Sequence, residues 1–273
     1  MTPARSSPAV FLSLALLASI APLAAGPTAS ADTYVDTFES GSSQGGWTFG
    51  LPVVYPPTGG NPGRYLRVDN LDTFAPQPRS AMSANPFTGN YVEKDVVRIG
   101  LDLITFDVDF SAAGRPCTLI LVNNNGTPAN TNDDWGVYTM GANIPLEGEG
   151  WKSYTFDIPS DETSLPAGWK SIQFGSASPV PNWNTAIKDV DRVLFFYGDP
   201  ELFFIFQQWD LGMDNVFVET APANPYDLDG DGTVGAGDLG VFLGAWGTSG
   251  PGDFDGDGIV GAADLAELLG AWS

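Results

Sequence analysis

The chain has 273 residues, 33 acidic side chains against 11 basic ones and a formal charge of −22 at pH 7, which excludes nucleic acid as a partner and disfavours anionic membrane surfaces. It has no histidine and one cysteine, so Ser-His-Asp and Cys-His catalysis, the usual zinc sites and any intrachain disulfide are excluded together. Whatever chemistry the chain performs runs on carboxylates, tyrosine, lysine or a bound metal.

In chain order, Arg5 precedes an apolar run from Ala9 to Ala25 and then Ala29-Ser30-Ala31. A basic start, an apolar core and a small-x-small exit define a secretory leader over 1–31, cleaved before Asp32. No second run is long enough to span a bilayer. The expected localisation is secreted, extracellular or at the cell surface.

Residues 32–220 alternate strand signals with Gly, Pro and Asn turns. The candidate strands are Tyr34–Phe38, Tyr65–Val68, Val96–Phe110, Cys117–Val122, Trp135–Met140, Trp151–Ile158, Val190–Tyr197 and Met213–Val218. Tyr154, Phe156 and Ile158 alternate with polar residues, as a half-buried strand requires. In the run from Arg98 to Phe110, a change of phase at Leu103-Ile104 predicts a bulge or a strand bending across the sandwich there. Helical periodicity is confined to the C-terminus. The expected fold is therefore an all-β antiparallel sandwich, a jelly roll, followed by a linker over 221–226 and a small α-helical duplicated module over 227–273.

Several side chains in the sandwich carry specific expectations. Cys117, Trp151 and Phe156 are read as core, Glu201 to Trp209 as a buried strand with an edge needing cover or an adhesive surface as alternatives, and Asn123 to Thr127 as a tight polar turn. A sugar presents an apolar C–H face ringed by hydroxyls, so its site pairs an exposed aromatic ring with nearby amides and carboxylates. Tyr55, Trp135, Trp183 and Trp209 stand in such polar settings, and Trp183, between Pro181-Asn182 and Asn184, is the first choice for exposure. Glu39, Glu93, Asp107, Asp109, Asp134 and Glu149 could supply the carboxylates of a glycosidase, yet no spacing singles out a pair.

The segments Asp36–Gly50 and Leu211–Glu219 resemble the first and last strands of galactose-binding-like carbohydrate-binding modules. The middle, with GGNPGRYLRVDN, SAMSANPFTGNY and VRIGLDLITF, is similar to laminin IV type A (laminin B) domains. The resemblance implies a carbohydrate ligand and a structural calcium ion held by Glu39 and Asp214.

The tail holds the sharpest pattern. DLDGDGTVGAGD (Asp227–Asp238) and DFDGDGIVGAAD (Asp253–Asp264) each place Asp at loop positions 1, 3, 5 and 12 and Gly at position 6. Leu239, Phe242, Leu243 and Trp246 follow the first loop at i, i+3, i+4 and i+7, and Leu265, Leu268, Leu269 and Trp272 follow the second. Each loop is expected to run into a short helix whose apolar face packs on the other. Pro and Gly before each loop leave no entering helix, and position 12 is Asp instead of Glu.

A duplicated loop with only an exit helix resembles the type I dockerin. That resemblance implies two calcium ions, bound by Asp227, Asp229, Asp231, the Thr233 carbonyl and Asp238, and by Asp253, Asp255, Asp257, the Ile259 carbonyl and Asp264. It also implies a cohesin-like surface partner. Ala236-Gly237 and Ala262-Ala263 depart from the Ser/Thr-type residues dockerins offer their partners.

The functional expectation is a secreted calcium-binding protein whose sandwich holds a polysaccharide or matrix glycan while the tail anchors it, in a setting of polysaccharide breakdown. The alternatives are a carboxylate-based glycoside hydrolase or polysaccharide lyase on the same frame, and a structural adhesion protein.

Overall fold

The computed structural model describes residues 31–273. The leader expected over 1–31 therefore lies, apart from Ala31, outside the described residues. The described residues divide between Asn224 and Pro225 into two compact units.

The first unit contains β1 (Thr33–Asp36), β2 (Leu66–Thr73), β3 (Val96–Val108), β4 (Pro116–Asn123), β5 (Trp135–Asn143), β6 (Lys152–Asp157), β7 (Trp169–Gln173), α1 (Trp183–Lys188), β8 (Arg192–Tyr197) and β9 (Gln207–Thr220). All strand pairings are antiparallel. One sheet runs β1-β9-β3-β6, with β2 on the same edge of β9 as β1; the other runs β7-β5-β4-β8. Each of the eight candidate strands from Tyr34–Phe38 to Met213–Val218 has a counterpart, whereas β7 and α1 had no strong sequence signal.

The inward phases of both sheets build one core. Ile99, Leu101 and Leu103 of β3, Leu119 and Leu121 of β4, Phe156 of β6, Phe195 of β8 and Trp209 and Leu211 of β9 are buried within it. Cys117 is buried there too, and burial pushes its thiol above the usual range, as befits a small apolar residue. Asn125 adopts a positive φ of 55° in the turn after β4, which Asn tolerates.

Three structural expectations are corrected. The inward phase of β3 continues past Leu103 to the buried Thr105, and the nearby register shift lies between Thr105 and Asp107. Ile104 and Phe106 consequently face outward. Trp151 joins them, half-buried on the outer face and not in the core; Tyr65 meets its ring edge-on at 5.4 Å. Gly212 lies beneath this cluster, where a Cβ would come within 2.7 Å of Ile104 and 3.0 Å of Trp151. Third, the run from Glu201 to Phe206 is no buried strand. It is a surface loop after the Gly198–Pro200 turn, and β9 begins only at Gln207.

The second unit contains α2 (Ala236–Gly244) and α3 (Ala262–Gly270). Its core is Val234, Phe242, Phe254, Val260 and Leu268, with Leu239, Ala245, Leu265 and Ala271 packed around it. The two halves interlock. Val234 exchanges hydrogen bonds with Ser273 after α3, and Val260 with Gly247 and Thr248 after α2. Each helix is shorter and its buried stripe narrower than the periodicity suggested: Leu243 and Leu269 on the helices, and Trp246 and Trp272 just beyond their ends, remain exposed. Among the described residues, no helix is long and apolar enough to cross a membrane.

Candidate functional site

The outer face of the four-stranded sheet follows from strand register. Ile120 lies between Tyr138 and Leu194, Val122 between Gly136 and Arg192, and Lys170 beside Tyr138. Ile120, Val122, Tyr138 and Leu194 form a second apolar cluster, separate from the core. Gly136 has no Cβ because one would lie 2.4 Å from the Leu121 carbonyl oxygen; its absence also leaves the sheet floor low between Val122 and Ile172.

Residues 76–80 extend this sheet beyond β8. The amides of Phe195 and Tyr197 donate to the carbonyls of Pro78 and Pro76, and Ser80 donates to Val193. That pairing sets Arg79 beside Leu194.

The result is an open groove of about 320 Å³, lined by Gln77, Arg79, Thr131, Asp134, Phe174 and Arg192 over Val122 and Leu194. Two of the lining side chains each carry a polar atom that is buried without a hydrogen-bond partner, Asp134 Oδ1 and Arg192 Nε. Each such atom costs roughly 1–3 kcal/mol if nothing meets it. Burial pushes the Asp134 carboxyl up, with the Arg192 charge opposing and Asp133 adding to the effect. Burial likewise pulls the Arg192 guanidinium down, and the neighbouring charge of Arg79 adds to this. The ion pairs among the described residues engage Arg67, Arg98, Lys152 and Lys170, and neither groove arginine.

The aromatic residues expected to meet sugar lie elsewhere. Trp135, Trp183 and Trp209 are 3%, 2% and 0% exposed, all within the core. Pro181-Asn182 marks a helix start instead of an exposed loop: the Asn182 side chain accepts from the Thr185 amide, and Trp183 is the first residue of α1. The Trp183 ring turns inward, donates from Nε1 to the Glu162 carbonyl at 2.8 Å and meets Trp169 edge-on at 4.9 Å. Trp209 faces Tyr197 edge-on at 6.1 Å in mid-sandwich. Trp135 obeys strand alternation, pointing inward while its neighbour Asp134 lines the groove. Tyr55 is half-buried against the core beside Phe38.

Glu39 and Asp214 flank one turn, residues 60–64. Asp214 accepts from the Asn61 amide at 2.7 Å, and Glu39 Oε1 from the Arg64 amide at 2.8 Å. Asp102 stands close by, accepting from the side-chain amides of Asn61 and Asn215. Burial pushes Asp214 up to about 6; the Asn61 and Asn215 amides oppose this, while Asp102 and Glu39 reinforce it.

In the tail, the structure brings together Asp227, Asp229 and Asp231, and likewise Asp253, Asp255 and Asp257, with ligand oxygens within 4.8 Å of one another. These are the groups of three or more acidic, Cys or His side chains that are so close among the described residues. Gly230, Gly232, Gly256 and Gly258 take positive φ and turn each loop around its carboxylates. Desolvation pushes the Asp229 carboxyl up; the Asp231 amide opposes this, while the Asp231, Asp238 and Asp227 charges reinforce it.

Asp238 and Asp264 stand outside these triads and fasten the loops to the helices. Asp238 accepts from the amides of Leu228, Asp229 and Gly235; Asp264 accepts from Phe254, Asp255 and Gly261. The Gly235 amide leads in holding Asp238 below the usual carboxylate range. For Asp264 burial works the other way, but its three amides outweigh it and the net shift is also down.

The donor set suits a hard cation: all oxygen, densely anionic, with Asp253 Oδ1 buried and unpartnered. Thr233 donates its amide and hydroxyl to Asp231, and the Ile259 amide donates to Asp257, which fixes the position-7 residue of each loop.

Neither a family model nor a curated protein sequence matches the chain. Solved structures with a similar fold include an exo-β-agarase, at 11% identity and a TM-score of 0.39, where the match covers 70% of this chain and 25% of that one. They also include the C-terminal family 22 carbohydrate-binding module of Clostridium thermocellum Xyn10B, at 15% identity and a TM-score of 0.34, covering 70% of this chain and 94% of the module. The L4b domain of human laminin α-2 matches at 14% identity and a TM-score of 0.33, covering 66% of this chain and 84% of that one. Carbohydrate-binding modules thus stand among the structural neighbours of the sandwich, at similarities too low to transfer a ligand.

Proposed function

We propose that the sandwich is a carbohydrate-binding module whose site is the groove on the four-stranded sheet. The observation that carries this reading is the pair of unpartnered polar atoms, Asp134 Oδ1 and Arg192 Nε, on two side chains that line an open groove together with Phe174. Sugar hydroxyls donate and accept at once, so neighbouring hydroxyls satisfy a carboxylate and a guanidinium together. Asp134 is the single carboxylate lining the groove, whereas the usual glycoside hydrolysis uses a pair. That chemistry favours holding the sugar over cutting it.

The rest of the reading concerns the tail and the setting. Each acidic triad holds one calcium ion, completed by Asp238 or Asp264 and by the carbonyl of Thr233 or Ile259. A third, structural ion belongs to Glu39 and Asp214. Exposed Leu243, Trp246, Leu269 and Trp272 give the helices apolar contacts for a cohesin-like surface protein, so that the tail acts as a dockerin-like anchor. The leader over 1–31 exports the chain, and its setting is polysaccharide breakdown outside the cell.

The test is a pull-down of the full chain on insoluble polysaccharides, with calcium and then with chelator, assaying released sugar in the same tubes. Retention in calcium without release is the expected result. Release of sugar would replace the binding reading with a hydrolase or lyase, and failure of every polysaccharide to retain the chain would overturn it.

A further inference from the structure

The loop between β8 and β9 presents apolar surface to solvent. Leu202, Phe203, Ile205 and Phe206 are exposed in succession around the half-buried Phe204, and Phe203 is 105% exposed. Contiguous apolar surface of this kind marks a contact site.

The loop is fastened in place. Glu201 accepts from the Tyr138 hydroxyl at 3.1 Å and from Lys170 at 3.0 Å. Its own amide, and that of Leu202, donate back to Asp199. Phe204 lies under the Arg115 guanidinium, 4.3 Å from the ring centroid. It also lies over Gly198, where a Cβ would come within 2.3 Å of the ring. With Phe204 pinned, Phe203 points outward from an anchored loop.

This surface adjoins the groove. A second depression, of about 380 Å³, is bordered by Phe74, Gln77, Phe196, Leu202, Phe203 and Phe204. Gln77 borders both depressions. Leu194 lines one and Phe196 the other; they stand two residues apart on the same face of β8, about 7 Å along the strand. Polar groups concentrate at the Asp134–Arg192 end and aromatic rings at the Phe203 end. A sugar chain has the matching surface, with hydroxyls on its edges and apolar C–H faces that pack on rings.

Resting on the carbohydrate reading of the groove, we infer that Phe203 and its loop form a second, aromatic subsite for the same chain. The ligand is then the interior of an extended polysaccharide, lying along β8 across Gln77, and not a lone terminal sugar. The occupant follows from continuity with the groove. Net charge disfavours an anionic lipid surface, and a second copy of the chain is an outcome of the test.

The experiment measures affinity of the full chain in calcium for soluble xylan, galactomannan, mixed-linkage β-glucan and agarose. The corresponding trisaccharides and hexasaccharides are titrated beside them, and sedimentation velocity reports association state. Phe203→Ala is expected to weaken polymer and hexasaccharide about tenfold while leaving the trisaccharide unchanged, and Phe203→Tyr to restore wild-type affinity. Arg192→Ala is expected to weaken every length. If Arg192→Ala weakens binding and Phe203→Ala matches wild type at all lengths, the groove stands and the aromatic subsite is overturned. A wild-type dimer that Phe203→Ala dissociates, with sugar affinity unchanged, assigns the loop to self-association and also overturns it. A wild-type chain that binds none of the probes overturns the groove reading and the subsite together.

Discussion

Replacing Asp227 and Asp253 together by alanine abolishes amide-exchange protection in α2 and α3 at saturating calcium, while the sandwich keeps its own. Each residue opens an acidic triad and organises the backbone around it. Asp227 accepts from the amides of Gly230, Asp231 and Gly232, and Asp253 from that of Gly258. Helices of nine residues are too short to persist alone in water. The unit buries a core of only five side chains, below which domains of this size usually need a metal or a disulfide. The chain has one cysteine, so a disulfide is not available to it. Each calcium ion bound only to the folded tail adds about 2.7 kcal/mol at a hundredfold excess over its Kd. Metal binding and folding of 225–273 are then one event, and chelation of the wild type reproduces the double variant. Hydrogen exchange read by mass spectrometry checks this; helices still protected in the variant would contradict it.

Trp183→Ala lowers the unfolding free energy of the sandwich by about 3–5 kcal/mol and leaves sugar affinity unchanged below its lowered Tm. The side chain is buried among core residues, donates to the Glu162 carbonyl and packs on Trp169. Its removal opens a large cavity and orphans a carbonyl oxygen. Domains of this kind have about 5–15 kcal/mol of stability in all, so the loss is a large fraction. Urea unfolding followed by Trp fluorescence measures it. Intact stability with lost sugar binding would restore Trp183 to the binding surface and contradict its place in the core.

The strand pattern was legible because side-chain alternation is local. Tyr154, Phe156 and Ile158 are all buried, in the phase their spacing announced. One run without alternation misled. Leu202 to Phe206 read as a buried strand, but the Gly198–Pro200 turn and the pinning of Phe204 by Arg115 hold them in a surface loop. The tail loops were legible for another reason: their carboxylates and glycines are neighbours in sequence, so the geometry that gathers them is local as well.

The groove had no such signature. Its lining comes from five separated segments, around Arg79, Val122, Asp134, Phe174 and Arg192, which only the order β7-β5-β4-β8 and the strand added at 76–80 bring together. The stretch from Asn132 to Trp135, singled out for its tryptophan, does border the groove. Burial energy sent the tryptophan inward, and alternation turned Asp134 to the groove.

The most direct measurement is isothermal titration of the full chain, in calcium, with soluble polysaccharide, comparing wild type with Asp134→Ala and Arg192→Ala. Each variant is expected to bind about tenfold or more weakly, since each removes a hydrogen bond from a charged, buried group. Asp134→Ala is expected not to lower the Tm, because Oδ1 has no protein partner to lose and its burial already costs stability. Undiminished affinity in both variants would contradict the account and move the sugar site off this face.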